Sequence, residues 1–321
     1  MALTKEQVTA FKRGFDLISE NIEKAVFGKQ AEIRLVLAAM ISEGHVLLED
    51  FPGTGKTALA RALAETIKCE NKRIQFTPDL LPSDVTGMDI YNQKDQKFTF
   101  EPGPVFANIV LADEINRAGP KTQSSLLQAM EEGTVSIGKK EYPLGTPFLV
   151  IATQNPVEQE GVYPLPEAQL DRFMIKTSLG YPDAESTKLI LSGLVAPAGK
   201  LKPAVVADDV REMTKLAREV TISDELVEYI VKIVEQTRDN KRVEIGSSVR
   251  GARNLAKLAK TWALTDGRDY VVANDIKSLA VTVLAHRLKL NPELEENDGV
   301  KPEAVMLEIL NSITPPKDPG K

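Results

Sequence analysis

Two glycines leading into a lysine–threonine pair, two adjacent carboxylates and a strand-ending asparagine are the residues of this chain whose types and order do chemistry together. The first group lies in Glu49–Thr57, E-D-F-P-G-T-G-K-T. Apolar Val46-Leu47-Leu48 precedes it and a run of helix formers, Ala58 to Glu65, follows. Strand, glycine-rich turn and helix in that order make the setting of a phosphate-binding loop. Gly53 and Gly55 let the backbone bend until several N–H groups face one anion. Pro52, both glycines, Thr54 and the helix opening through Ala58 therefore read as nucleotide-binding, the helix adding unsatisfied N–H groups and the positive end of its dipole. Lys56 supplies a point charge to the outer phosphates, and the Thr57 hydroxyl is a magnesium ligand. One position departs from the usual pattern: Asp50 stands where glycine is expected.

Ile109-Val110-Leu111-Ala112 reads as a buried parallel strand ending in Asp113 and Glu114. Ligands of open parallel sheets sit at the C-terminal ends of the strands. Both carboxylates then point at the phosphates, Asp113 toward magnesium and Glu114 toward the attacking water. Asn155 ends the next buried strand, Phe148 to Thr153, where its side chain can orient that water. Phosphoryl transfer also needs a cation on the γ-phosphate, often from another subunit. Arg172, Arg117 and Arg250 are the candidates, and spacing alone does not choose among them.

The elements that must position these residues follow from hydrophobic periodicity. Residues 4–24 and 31–43 read as helices before the first strand, and Arg73 to Phe76 as a second strand. Residues 88–91 and 97–100 alternate about a polar turn, and 134–143 turn at Gly138, giving two hairpins. A helix from Lys121 to Glu132, a short one from Pro166 to Asp171 and a last strand from Phe173 to Leu179 complete the pattern. Strands alternating with helices imply a parallel sheet covered on both faces. After Gly180-Tyr181-Pro182-Asp183 the pattern is helical, over 183–195, 208–220, 223–238, 248–265 and 273–288, with Asp183, Asp208, Ser223 and Asn274 as N-caps. The expected organisation is an α/β nucleotide-binding core over 1–180, an all-helical lid over 181–314 and a disordered tail over 315–321.

Composition narrows the class. The 321 residues are 42% hydrophobic and 27% charged, and 40 basic against 46 acidic residues leave a net charge of −6. That balance argues against a broad nucleic-acid face. A single cysteine, Cys69, fits a reducing compartment, and His45 and His286 lack metal-ligand spacing. No stretch reaches membrane-spanning length, so a cytoplasmic setting is expected.

Taken as a set, F-G-K-Q, E-D-F-P-G-T-G-K-T, F-T-P-D-L-L-P-S-D, E-P-G-P-V-F, L-A-D-E-I-N-R-A, L-L-Q-A-M-E-E, A-T-Q-N-P and L-P-E-A-Q-L-D-R-F resemble the MoxR-type AAA+ ATPases, over Glu20 to His286. The resemblance implies a P-loop AAA+ core of three layers with a small all-α lid. It makes Asp113 and Glu114 the Walker B pair, Asn155 sensor 1, Arg172 an arginine finger and Arg250 sensor 2. Val26, Phe27 and Gly28 match the segment that packs on adenine, and the family admits aspartate at position 50. It further implies ATP and magnesium as cofactors, a ring of identical subunits (commonly six) and chaperone-like work with partners bearing a von Willebrand factor A domain. Whether Arg250 acts on its own subunit's nucleotide or a neighbour's stays open, as does whether the 88–100 hairpin packs or touches a client. Two other functions compete: a slow nucleotide-dependent switch, and a DNA-handling motor using a stripe of Arg250, Arg253, Lys257 and Lys260 on one helix.

Overall fold

The computed structural model describes residues 3–94, 96–157, 161–193, 200–291 and 299–317. Its centre is a five-stranded sheet in the order β2 (Asn71–Gln75), β5 (Ile109–Asp113), β8 (Leu149–Gln154), β1 (Val46–Glu49), β9 (Ile175–Thr177), every neighbouring pair parallel. Period-two alternation sorts the strand side chains between two cores. Val46, Leu48, Ile109, Leu111, Leu149 and Ile151 join one apolar cluster; Leu47, Val110, Ala112, Val150 and Ala152 join the other. With both faces covered, the strands are continuous apolar runs. Truncating a side chain such as Leu47, which is fully buried, costs about 2–5 kcal/mol.

The first cluster is built by α1 (Lys5–Glu23), α2 (Gln30–Ile41) and α3 (Lys56–Thr66) and runs on into the helices that follow the sheet. On the other face lie α4 (Pro82–Thr86) and α5 (Pro120–Glu132). Two hairpins project from that layer: β3 (Gly87–Asn92) with β4 (Lys97–Pro102), and β6 (Thr134–Ile137) with β7 (Lys140–Pro143). Phe100 stacks on Tyr142 and meets Phe106 edge-on, whereas Tyr91 and Phe98 contact each other and stay exposed. The alternating aromatics are thus divided between packing and surface. Asp95, in the expected turn, lies outside the described residues.

After α6 (Glu167–Leu170) and β9 the chain is helical: α7 (Ala184–Leu191), α8 (Ala207–Glu219), α9 (Asp224–Asp239), α10 (Val249–Thr265), α11 (Ala273–Leu284) and α12 (Pro302–Ser312). Asp183 and Ser223 cap α7 and α9 as expected. The caps of α8 and α11 fall two residues earlier than Asp208 and Asn274, at Val206 and Val272. There the third helical residue, Asp209 or Asp275, accepts the N–H of the cap residue at 2.9 Å, so the acid sits inside the helix and not at its boundary. The run read as 273–288 ends at Leu284, and a 3₁₀ turn, Ala285–Arg287, follows. Val243–Ile245 and Lys289–Leu290 pair as a small antiparallel ribbon. Helix α12 was not expected; Pro302 at its first position is the start signal, and Val305, Met306, Ile309 and Leu310 are its buried face. The end of the expected 183–195 helix and tail residues 318–321 lie outside the described residues.

A buried guanidinium joins sheet and helices. Arg287, 4% exposed, donates to the Asp171 carboxylate at 2.8 Å and to the Phe173 carbonyl at 2.5 Å. Burial pushes its pKa down to about 10 against the pull of Asp171, and the charge persists at neutral pH. Among the described residues no helix is long and apolar enough to cross a membrane.

Candidate nucleotide site

The turn between β1 and α3 is shaped by two left-handed glycines, Gly53 with φ 83° and Gly55 with φ 94°. A side chain at either would strain the backbone, so glycine is dictated there. Lys56 opens α3, and its Nζ donates to the carbonyls of Asp50 at 3.2 Å and Phe51 at 3.0 Å, which folds the side chain over the loop.

Asp50 explains the departure from the glycine pattern. The residue is 2% exposed, and its carboxylate turns away from the loop. It accepts from Ser178 Oγ at 2.7 Å, the Leu179 N–H at 2.8 Å and the Gly180 N–H at 2.9 Å. Each such bond to a charged acceptor is worth about 1.5–3 kcal/mol. Asp50 therefore fastens the loop to the chain leaving β9. Beside it, the rings of Phe51 and Tyr181 stack at 5.8 Å.

A cleft of about 420 Å³ opens at the C-terminal ends of β1, β5 and β8. Pro52, Gly53, Thr54, Gly55, Lys56, Thr57 and Ala58 form one wall. Asp113, Glu114 and Asn155 face them, with Arg73 and Thr153. Asp113 accepts from Thr153 Oγ1 at 2.7 Å on one oxygen and from Arg73 on the other, at 3.1 Å and 2.5 Å. Glu114 has φ 56°, a left-handed conformation rare outside glycine and found at functional turns. Its N–H bonds Thr153 Oγ1 at 2.8 Å, and its Oε2 accepts from Gln75 at 2.8 Å and from Arg117 at 3.0 Å. Thr153 thus holds both acids in register. Asn155 Oδ1 accepts the Val157 N–H at 3.2 Å, so its amide nitrogen points elsewhere.

Val26, Phe27 and Gly28 do not line this cleft. They lie beside the first turn of α7, where a Cβ on Gly28 would come within 2.3 Å of Ser186 Oγ. The next residue, Lys29, donates to the Tyr181 carbonyl at 3.0 Å, placing the segment at the same junction as the Phe51–Tyr181 stack.

The candidate arginines part company. Arg117 stays on Glu114. Arg172 and Arg250 lie away from the cleft, and both bind Glu131 in the last turn of α5, Arg172 at 3.1 Å and Arg250 in a closer contact. Arg172 precedes the first residue of β9, whereas Lys56 follows the last residue of β1, and these strands are parallel neighbours. The two sites are therefore at opposite ends of the sheet. The cationic stripe of α10 is also broken up, since Arg250 turns to Glu131 and Lys260 Nζ donates to the Arg218 carbonyl.

Arg73, Gln75, Thr153 and Glu131 were missed in the sequence. Arg73 and Gln75 alternate on β2, and Gln75 is in register with Asp113; that spacing was the available signal.

A phosphate loop, a carboxylate pair and a strand-ending asparagine on one edge of a parallel sheet, followed by a helical lid, define an AAA-type ATPase fold. Residues 45–175 match the model of the ATPase family associated with various cellular activities (AAA), and residues 235–309 match an AAA lid domain. YeaC of Bacillus subtilis is 49% identical over 92% of this chain and 93% of its own length. Chaperone MoxR1 of Mycobacterium tuberculosis is 39% identical over 92% of this chain and 81% of that protein. The crystal structure of a Cytophaga hutchinsonii protein provisionally described as an ATPase superposes with a TM-score of 0.88 at 40% identity, covering 97% of this chain and 98% of that one. The chain belongs to the MoxR family of AAA+ ATPases.

Proposed function

We propose that the protein hydrolyses ATP to ADP and phosphate with magnesium, in a ring whose sites are completed by neighbouring subunits, and spends the cycle on chaperone-like remodelling of protein partners. The observation that carries this reading is the convergence of Lys56, Thr57, Asp113, Glu114 and Asn155 on one cleft, with Arg172 at the far end of the sheet.

In this reading the loop N–H groups and Lys56 hold the outer phosphates. Thr57 and Asp113 are the residues that would hold magnesium. They suit it, because a hydroxyl and a carboxylate are the hard oxygen donors that magnesium takes. Magnesium takes few protein oxygens and completes its shell with water and phosphate. Asp113 has about four lone-pair sites, and its bonds to Thr153 and Arg73 do not exhaust them. The bound ion would neutralise charge developing on the phosphates. Glu114 polarises the attacking water and Asn155 orients it. Val26, Phe27 and Gly28, with the Phe51–Tyr181 stack, supply an apolar seat for the base. Arg117, held on Glu114, is given a place at the subunit boundary.

Arg172 and Arg250 are assigned to a neighbour's γ-phosphate, because neither lines the cleft of its own chain. A heterologous contact of this kind repeats head to tail and closes into a ring, which we take as six subunits. Light scattering with and without ATP measures that number. A protein partner with a von Willebrand factor A domain and a reducing, cytoplasmic setting belong to the same proposal, the latter resting on the lone Cys69.

Glu114→Gln tests the chemistry. Turnover is expected to fall about 10²–10³-fold with ATP affinity retained; unchanged turnover would remove Glu114 from the mechanism. The exposed Tyr91 and Phe98 of the first hairpin support client contact there. Shortening the 92–96 turn should leave basal turnover intact and remove stimulation by a client, and loss of folding instead would assign the hairpin to packing.

A further inference from the structure

Glu131 stands between two arginines that come from different parts of the fold. Arg172 belongs to the sheet layer, at the entry to β9, and Arg250 to the first turn of α10. Arg172 Nε meets Glu131 Oε2 at 3.1 Å, and Arg250 Nη2 meets Glu131 Oε1. Arg250 also faces Asp171 at 3.7 Å. Asp171 is itself fixed by buried Arg287 at 2.8 Å and by Ser248, the N-cap of α10, at 2.9 Å. Three guanidiniums therefore surround two carboxylates, and the cluster keeps one net positive charge. Without Glu131, Arg172 would lose the carboxylate that it shares with Arg250, and Arg250 would keep Asp171.

The backbone that carries this carboxylate is anchored. His45 Nε2 bonds the carbonyl of Met130, the residue before Glu131, at 3.1 Å, pinning the end of α5 to the start of β1. Its two partners remain part-exposed, at 28% and 37% of their side chains. Arginine carries five N–H donors, and Glu131 engages only some of them. Glu131 can thus hold both side chains without occupying them.

We propose that Glu131 is a positioning residue that yokes Arg172 to Arg250, so that the two cations are presented to a neighbouring subunit's γ-phosphate as one unit. This rests on the trans reading of Arg172 given above. An exposed ion pair contributes little to folding, so the consequence is to be sought in turnover and not in stability.

The test compares Glu131→Gln with wild type and Arg172→Ala, each as the full chain and each also mixed with Lys56→Ala chains. Glu131→Gln is expected to lower kcat at least about tenfold, since misplacing a catalytic group by an ångström is sufficient for that. Its affinity for ATP, measured with a fluorescent analogue, and its melting temperature should stay at the wild-type values. Mixing with Lys56→Ala should restore part of the turnover, because those chains donate intact arginines to the intact clefts of Glu131→Gln chains. If Glu131→Gln unfolds, Glu131→Asp, which keeps the charge and shortens the reach, carries the same comparison. Wild-type kcat in the Glu131 variant, or a loss that mixing does not relieve, overturns the yoke. If Arg172→Ala is dead and complemented while Glu131→Gln is normal, the trans reading stands and only the yoke fails. If Arg172→Ala itself turns over normally, both fall together.

Discussion

At the C-terminal end of β5 two carboxylates stand among cations; at the entry to β9 two cations share one carboxylate. The first region is a cleft, with its loop folded over by Lys56 and its acids held by Thr153. The second is an open face with half-buried guanidiniums. Each end carries the charge type that the other holds in check, and the sheet keeps them apart. Under the proposed function a second copy placed head to tail closes the circuit between them. The difference teaches why that proposal divides its catalytic groups between subunits: the arginines are gathered where their own chain's cleft does not reach.

The comparison is broken most severely by removing one end at a time. Arg172→Ala should lower turnover by about 10³-fold or more, the range for a stabilising arginine on a γ-phosphate, while ATP still binds. Lys56→Ala should lose ATP binding and turnover together. Mixed in subunit-exchanging conditions, the two dead variants should regain activity; steady-state turnover of the mixture decides, and none would argue for a site contained in one chain.

A smaller effect is expected where the cleft is fastened to the rest of the molecule. Asp50→Asn replaces a buried three-bond acceptor with a group that must turn N–H toward N–H donors. Stability should fall by about 1–3 kcal/mol, read as a lowered denaturant midpoint, with weaker ATP binding. Unchanged values would mean that the loop does not depend on Ser178–Gly180.

The last effect concerns the other end, and it is absent at neutral pH. His45 is 7% exposed, and its Nδ1 accepts the Val150 N–H at 3.1 Å, so it is neutral with its proton on Nε2. Burial holds its pKa down at about 4. A folded-state value depressed below 6.5 means the unfolded chain binds the proton first. The resulting stability is fully present above pH 6.5 and is lost as pH falls toward 4, at up to about 1.4 kcal/mol per pH unit. Urea unfolding across that range should flatten in His45→Gln relative to wild type; parallel slopes would acquit His45 and leave buried His286, whose pKa burial also lowers, as the source.

The phosphate loop, the Asp113–Glu114 pair and Asn155 were legible because each lies in one contiguous strand-to-turn stretch. The sheet followed from continuous apolar runs separated by helices, the first hairpin from alternation about a polar turn and the second from the turn at Gly138. What stayed hidden depends on residues distant in sequence. Asp50 looked like a flaw because its partners, Ser178 to Gly180, lie at the far edge of the sheet. Arg172, Arg117 and Arg250 could not be ranked by spacing because Glu131, which gathers two of them, lies 41 residues before one and 119 before the other, in the L-L-Q-A-M-E-E stretch that had been given no role. The N-caps of α8 and α11 were misplaced because a hydrophobic residue holds the cap position and an internal aspartate bonds back to it. Helix α12 lay beyond a proline-marked gap that ended the periodic pattern.

The grip of Asp50 on Leu179 and Gly180 also sets how little free chain links the phosphate loop to the helices. Everything through Gly180 travels with the phosphate loop, and Asp183 already belongs to the cap of α7. Only Tyr181 and Pro182 remain between those two anchors, and the ring of Pro182 locks its own φ. The link is a short strap laid over a shared core and not a flexible tether: the ring of Tyr181 stacks on Phe51 and its carbonyl takes the Lys29 ammonium, while the apolar cluster and Arg287 join the helices to the sheet beneath it.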